Sequence, residues 1–419
     1  MGTISYLLYD LIIYLLLPFA WLGAYFNDKL AGSYTGQKEI KAQLHKFNKL
    51  VQENPKPIIW LHAASAGEFE QMKPILSRFS KLDVNIFHTF TSPTIYYKVS
   101  QNKSFQGVSF LPWDTYGRVN QFIKTLQPDL FINTRHDLWP NLLRALRSNH
   151  VRNILINGNL YENSARLKPI AKVFNRSVFK YIDTIYTGSE SLRSLIGQLY
   201  CGPIEVVGDS RFDQVYERSL LNTTELISAE IISDRRVIVY GSVVDSDLPI
   251  VTNAIAKSLQ SQPYLHIVVP HEVMERDLTP WEVALYRHRA KTIRLSEIDS
   301  YQGESVIIWN HVGQLADLYQ HSDLAFIGAG FSTGVHSVTE PAIYHVPSAH
   351  GPKYDILAEA IELVDLGLSQ VVRNEADLFK FLSIPMTEIS SLSSKISDFV
   401  QERLGASDKI LKAEYPVKN

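Results

Sequence analysis

The sequence predicts a doubly wound α/β protein of two Rossmann-like domains facing a cleft, preceded by a hydrophobic helix. Three observations predict it. Short apolar runs bounded by turn residues alternate with amphipathic stretches, which is the pattern of parallel βαβ units. The alternation runs twice, from Ile58 to Thr187 and again from Arg235. The length, 419 residues, holds two or three domains at roughly 150 residues each.

The first element is the run Ile4 to Phe26, in which Asp10 is the sole charged side chain. As a helix it would extend about 35 Å at about 1.5 Å per residue, enough for a bilayer core of about 30 Å. A cleaved signal peptide would want a basic n-region and an A-x-A-like site, and neither is evident. Length alone allows a buried first helix. Asp10 and Pro18 interrupt the run while Tyr6, Tyr9, Tyr14, Trp21 and Tyr25 suit the headgroup level, so residues 1–27 are expected to form a spanning anchor or an interfacial helix. From Asp28 to Trp60 six Lys stand against three acidic residues. That excess puts the next domain on the cytoplasmic side and suits anionic headgroups.

The N-terminal domain is expected over residues 28–212. Its strands are Ile58–Leu61, Val84–His88, Val108–Leu111, Leu130–Asn133, Ile154–Ile156 and Thr184–Thr187, with helical patterns between them such as Phe69–Ser80 and Tyr116–Leu126. Residues 213–234 are polar and partly helical, and read as a connector. The C-terminal domain, 235–419, has strands at Val237–Tyr240, Leu265–Val269, Val306–Ile308 and Leu324–Ile327, and its last helix is free to pack back on the N-terminal domain. In open α/β sheets ligands collect beyond the carboxyl ends of the strands, so each domain should offer one binding surface.

Composition excludes several classes. Lys and Arg number 41 against 43 Asp and Glu, a balance unsuited to gripping nucleic acid through a strongly basic face. The single cysteine, Cys201, gives neither an internal disulfide nor a Cys-rich zinc site, and a reducing compartment follows. Thirteen histidines form no H-E-x-x-H, and the G-x-S-x-G and P-loop patterns are absent, so no metal is expected.

Two runs carry candidate chemistry. In Ile59-Trp60-Leu61-His62-Ala63-Ala64-Ser65-Ala66-Gly67-Glu68 a strand ends near His62, small residues turn, and Glu68 opens a helix. A carboxylate there can act as a general base, or merely complement the helix dipole. The dipole should also lower its pKa. In the second, Phe326 to Ala342, a strand feeds a Gly-rich turn and a helix expected to begin near Ser337, with Glu340 one turn in. That suits a phosphate on helix-start N–H groups and a carboxylate on ribose hydroxyls. The spacing Gly328, Gly330, Gly334 is not the dinucleotide fingerprint, and a tight turn explains it equally. Arg211, Ser242, His271 and Gly313 also sit where strands end. Arg211 suits a leaving phosphate and His271 a base, or they are a surface arginine and a capping histidine.

Taken together, these motifs resemble the 3-deoxy-D-manno-octulosonic acid (Kdo) transferases of lipopolysaccharide assembly. The resemblance covers nearly the whole chain: the hydrophobic N-terminal segment, then IWLHAASAGEFEQ, FLPWDTYGRVNQFIKTLQPDLFI, DLWPNLL, GDSRFD, VGQLADLY, GAGFSTGVHSVTEPA and GPKYDILAEA. It implies a GT-B glycosyltransferase at the inner-membrane face. Such an enzyme would move Kdo from CMP-Kdo to a lipid A precursor with inversion, with no cofactor, no metal and no nucleic-acid partner. It further implies Glu68 as the base, Arg211 as the group that stabilises departing CMP, and Asp137 as an acidic partner. Ser242, Pro270, His271, Val312, Gly313, Gln314, His336, Ser337, Val338, Thr339 and Glu340 would hold the donor, with Glu340 on the ribose.

Three positions depart from the family pattern. Arg135 reverses the charge of the first acid of E-x-E-L-W-P-N, Asn159 replaces an Arg, and Ser337 replaces an Asn while remaining able to cap a helix. These departures leave room for a GT-B transferase of another nucleotide sugar. They also leave room for a membrane-bound protein that binds a nucleotide sugar without turning it over.

Overall fold

The computed structural model describes residues 2–102, 105–135, 137–221, 226–232, 235–355 and 357–415. The chain divides into two compact units, Met1–Gln214 with Arg403–Asn419, and Val215–Glu402.

The first unit is built on seven parallel strands: β1 (Ile58–Ala63), β2 (Asn85–Phe90), β3 (Gly107–Phe110), β4 (Leu130–Thr134), β5 (Arg152–Gly158), β6 (Thr184–Thr187) and β7 (Ile204–Val206). Their order is β3-β2-β1-β4-β5-β6-β7. Every residue of β1 is buried, because a parallel sheet is covered on both faces. Alternate residues of β1 feed different cores: Ile58 and Trp60 join Phe87, Phe122 and Phe131, while Ile59 and Leu61 join Met72, Ile75 and Ile132. The chain leaves β1 for β2 on one side and returns to β4 on the other, which places the switch point at the carboxyl ends of β1 and β4.

Helix α1 (Gly2–Gly23) carries the apolar run, and α2 (Asp28–Glu53) follows after an Asn27 cap that accepts from Lys29 and Leu30 N–H. By length and composition Tyr6–Gly23 is apolar enough to cross a membrane, with mean hydropathy 1.7. One end of α1 is nevertheless tied to the first unit. Tyr6 is buried, Tyr9 Oη donates to Asp114 Oδ2 at 2.8 Å, and Asn141 Nδ2 donates to Asp10 Oδ1 at 2.6 Å. The one charge in the run thus serves docking. Leu11, Ile12, Leu15, Leu16, Phe19 and Leu22 are exposed. Gly36 lets α2 lie on β3, since a Cβ there would stand 2.0 Å from the Phe110 ring.

The C-terminal helix Ala406–Glu414 belongs to this unit. Ala406 and Ile410 enter the core beside Met72, Arg78 pairs with Asp408 and Arg152 with Glu414. Asp213 accepts the N–H groups of Gly405 and Ser407 at 2.7 Å each. Helix Ser210–Leu221 runs through the start of the expected connector 213–234. Of that connector, residues 222–225 and 233–234 lie outside the described residues, as do 416–419 of the expected C-terminal domain and Met1 of the anchor.

The second unit repeats the plan with β8 (Val237–Val243), β9 (Leu265–Pro270), β10 (Thr292–Arg294), β11 (Val306–Ile308), β12 (Leu324–Ile327), β13 (Ser348–His350) and β14 (Ser369–Val371). The order is β10-β11-β9-β8-β12-β13-β14, again parallel and again covered on both faces, with Ile238 and Tyr240 in one core and Val237 and Val239 in the other. Its switch point lies at the ends of β8 and β12.

Candidate functional site

In the first unit the switch point gathers a buried polar cluster. His62, one residue before the end of β1 and 1% exposed, sets Nδ1 2.9 Å from Thr89 Oγ1 and 3.0 Å from Thr89 O. Its Nε2 lies 2.7 Å from Asp137 Oδ2. Asp137 follows β4, so the pair joins the two strands that flank the switch. Burial pushes the Asp137 carboxyl up, but the hydrogen bond and charge of His62, with bonds from Trp139 and Thr91, outweigh it and hold the group below the usual carboxylate range.

Glu68 stands in the first turn of helix α3 (Ala66–Phe79), whose cap Ser65 accepts the Glu68 N–H. The Glu68 side chain turns back, and Oε2 accepts Ala64 N–H at 2.6 Å, a close variant of the capping box. The capping and basic roles are therefore compatible: one oxygen is fixed by the backbone. The expected dipole-lowered pKa is corrected here. Burial raises the Glu68 carboxyl above its ordinary value; the Ala64 N–H, His62 and Arg135 pull it down and Asp137 pushes it up, and the net direction is upward. A raised, fixed carboxylate is suited to accepting a proton.

Arg135 sits at the end of β4 with φ +57°, a left-handed conformation uncommon outside Gly, Asn and Asp. His136 beside it lies outside the described residues. Asn159 is half-buried after β5, and the neighbouring Asn157 bonds Ser210 at the start of the helix that carries Arg211. Arg211 is half-buried in the first turn of that helix, with its N–H on Asp209. The unit it belongs to is that of Glu68 and Asp137.

The second unit collects a different set. Ser242, at the end of β8 with φ +56°, places Oγ 2.9 Å from His271 Nδ1. Pro270 ends β9, and His271 stacks on His336 with ring centroids 4.6 Å apart and planes at 11°. Burial, and then the neighbouring His271, lower the His336 pKa. Gly328 packs on this strand end: a Cβ there would stand 2.4 Å from Ser242 O. Val312 is exposed, Gly313 has φ +82°, and its carbonyl accepts from Arg218, which also pairs with Asp317 at 2.7 Å. Gln314 Oε1 accepts from Trp309 Nε1.

The helix expected from Ser337 begins instead at Thr339 and ends at Ile343, with Val338 at the cap position and no side-chain cap bond. Pro341 is the reason: lacking N–H, it cannot donate to the Ser337 carbonyl, so the helix starts where Pro falls in the first turn. Ser337 therefore does not cap it, and Glu340 is its second residue rather than one turn in. Five residues also sum to a small dipole. Val338 and Thr339 are buried and build the turn.

Sequence reasoning missed His62 as a site residue, with Thr89, Thr91 and Trp139 around Asp137. It also missed Arg166, a half-buried guanidinium whose pKa burial lowers and Asp137 raises. The available signal was a polar residue at the carboxyl end of each central strand. Among the described residues there is no group of three or more His, Cys, Asp or Glu that could hold a metal ion.

Residues 38–214 match the family model described as 3-deoxy-D-manno-octulosonic-acid transferase (kdotransferase). A bifunctional glycosyltransferase/methyltransferase of Fusobacterium nucleatum is 24% identical over 86% of this chain, which spans 57% of that protein's length. A 3-deoxy-D-manno-octulosonic acid transferase of Chlamydophila psittaci is 25% identical over 90% of this chain and 88% of its own. Among solved structures, UDP-GlcNAc 2-epimerase from Neisseria meningitidis bound to UDP-GlcNAc superimposes with a TM-score of 0.61 at 13% identity, covering 85% of this chain and 98% of its own. That likeness shows the fold, which is of GT-B type.

Proposed function

From a chain that is a relative of the Kdo transferases, with residues 38–214 carrying their family pattern, we infer an inverting glycosyltransferase. It would move Kdo from CMP-Kdo to a lipid A precursor at the cytoplasmic face of the inner membrane. The observation that carries this reading is Glu68, a carboxylate with one oxygen fixed by Ala64 N–H and a pKa raised by burial. Its Oε1 takes the proton of the acceptor hydroxyl as that oxygen bonds to the anomeric carbon of Kdo. The bond from that carbon to the phosphate oxygen breaks, and its electron pair leaves on CMP. Arg211 meets the negative charge of the departing phosphate, while Ser242, His271 and His336 hold the nucleotide phosphate and Glu340 the ribose. Asp137 keeps His62 oriented beneath the base. No step calls for a metal or a cofactor.

The form of α1 supports one membrane mode. Tyr9 and Asp10 are bonded to the folded unit, and the helix beyond them, residues 11–23, is about 20 Å long at 1.5 Å per residue against a core of about 30 Å. An interfacial helix, lying with its outer face in the lipid, fits better than a spanning one.

Arg135 supports a second reading, in which the acceptor or the nucleotide sugar differs from the family's. The test is incubation with CMP-Kdo and a lipid A precursor, followed by mass spectrometry of the lipid. Added Kdo that disappears in Glu68→Gln, with CMP binding kept, is the expected result. Undiminished transfer by that variant would remove Glu68 as base, and no added Kdo with wild-type protein would favour the second reading.

A further inference from the structure

The first unit carries a groove of about 770 Å³ between α2 and the helix Tyr116–Leu126, away from the polar cluster of His62, Glu68 and Asp137. Its volume falls in the range of small-ligand sites, about 300–1,000 Å³. The base is apolar, with Ile40, Leu44, Pro112 and Phe122. The polar side chains in its wall are already engaged. Gln37 donates to Leu111 O at 2.8 Å and accepts Trp113 N–H at 3.1 Å, and Asn48 donates to Thr125 O at 2.8 Å. What remains for an occupant is carbon and positive charge. Lys38, Lys41, His45 and Arg118 line the groove with no acidic residue among them. Lys38 lies over the Tyr34 ring and Arg118 over the Trp113 ring, at 4.8 and 5.3 Å.

The groove shares two wall residues, Pro112 and Trp113, with a second, smaller pocket walled by Ile13, Leu16 and Leu17 of α1. A molecule seated in the groove would have its apolar part on that shared wall, beside α1, and its anionic part among the cations.

We propose that this groove binds a bilayer phospholipid with an anionic headgroup, taking one acyl chain along its base and the phosphate at Lys38, Lys41 and Arg118. The proposal rests on the membrane reading of α1 and adds a lipid site separate from the catalytic cluster. Gly117 supplies a selective test, because it lines the groove and a Cβ there meets nothing within 4 Å. Gly117→Leu projects a branched side chain into the groove from a position with room for its Cβ, and Gly117→Ala adds that Cβ alone.

The experiment irradiates full-length protein in a neutral detergent with phosphatidylglycerol carrying a diazirine in its acyl chain, and separately with the matching phosphatidylcholine; labelled peptides are then mapped by mass spectrometry. Detergent and the absence of any sugar donor keep the outcome independent of membrane partition and of Kdo transfer. Phosphatidylglycerol should label residues 34–48 and 112–125 well above phosphatidylcholine. Gly117→Leu should lose that labelling and Gly117→Ala keep it. Lys38→Gln and Arg118→Gln should each cut it by about fivefold, the effect of one cation near an anionic headgroup. Equal labelling by the two lipids, or full labelling of Gly117→Leu, would overturn the proposal.

Discussion

Replacing Asp137 by alanine takes away the partner of a histidine that is 1% exposed. His62 Nε2 lies 2.7 Å from Asp137 Oδ2, and a hydrogen bond to a charged group contributes about 1.5–3 kcal/mol. The Asp137 side chain is only 18% exposed, so little of that is screened and the upper end, about 3 kcal/mol, applies. For a unit of about 200 residues, at about 2–4 °C per kcal/mol, the Tm should fall by about 6–12 °C. The sign with pH is fixed by direction. Asp137 has a folded pKa below its unfolded value, so its stabilisation is complete above about pH 4 and disappears as pH falls through the folded pKa. The Tm gap between wild type and Asp137→Ala should therefore be full at pH 7 and close in acid. A second readout is kinetic. The Asp137 charge pushes the Glu68 carboxyl up, so the variant's acid limb of kcat/KM should move to lower pH. Calorimetry at pH 7 and at pH 3, with a pH profile of Kdo transfer, checks both. A Tm gap that is small at pH 7, or an acid limb that stays in place, would refute the idea that this pair supports Glu68.

Arg135→Glu exchanges a charge that lowers the Glu68 pKa for one that raises it, so the acid limb should move to higher pH, opposite to Asp137→Ala; the same profile reads it. Gly328→Ala puts a Cβ 2.4 Å from Ser242 O and 2.5 Å from Val243 Cα. Calorimetric unfolding should show a loss of about 3 kcal/mol, the upper range for forced overpacking, and titration calorimetry should show weaker CMP binding because Ser242 is displaced. Asp10→Ala removes the acceptor of the Asn141 bond. The docked end of α1 should lose about 1.5–3 kcal/mol and exchange amide hydrogens faster over residues 2–23, whereas unchanged exchange would show that α1 is held by packing alone.

The interior strands were legible because burial on both faces demands apolar residues throughout. Val306–Ile308, Leu324–Ile327 and Thr184–Thr187 were read with the bounds the structure has. The strands that escaped, β7, β10, β13 and β14, are three residues each and lie toward the sheet edges. Ile204-Glu205-Val206, with Glu205 and Val206 exposed, carries no apolar run to announce it. Such segments become strands through the backbone of a neighbour, a tertiary effect that periodicity does not contain.

The site divides the same way, and for a reason that bears on its chemistry. Glu68 was legible because its position depends on local facts: a strand end, a run of small residues and a helix start. The His62–Asp137 pair was not, because its members are 75 positions apart and meet only since the chain, having run outward through β2 and β3, returns to the far side of β1 as β4. The upward shift of the Glu68 pKa belongs to this second class. A helix start alone argues for a lowered pKa, and a base near neutrality then needs desolvation, whose source the local sequence does not contain. Burial at the switch point, reinforced by a carboxylate brought in from β4, reverses the direction. The residue that acts is thus specified locally, while its fitness as a base is specified by topology. Asp137→Ala separates the two, since it leaves the β1–α3 turn intact and removes one of the two influences that raise the base.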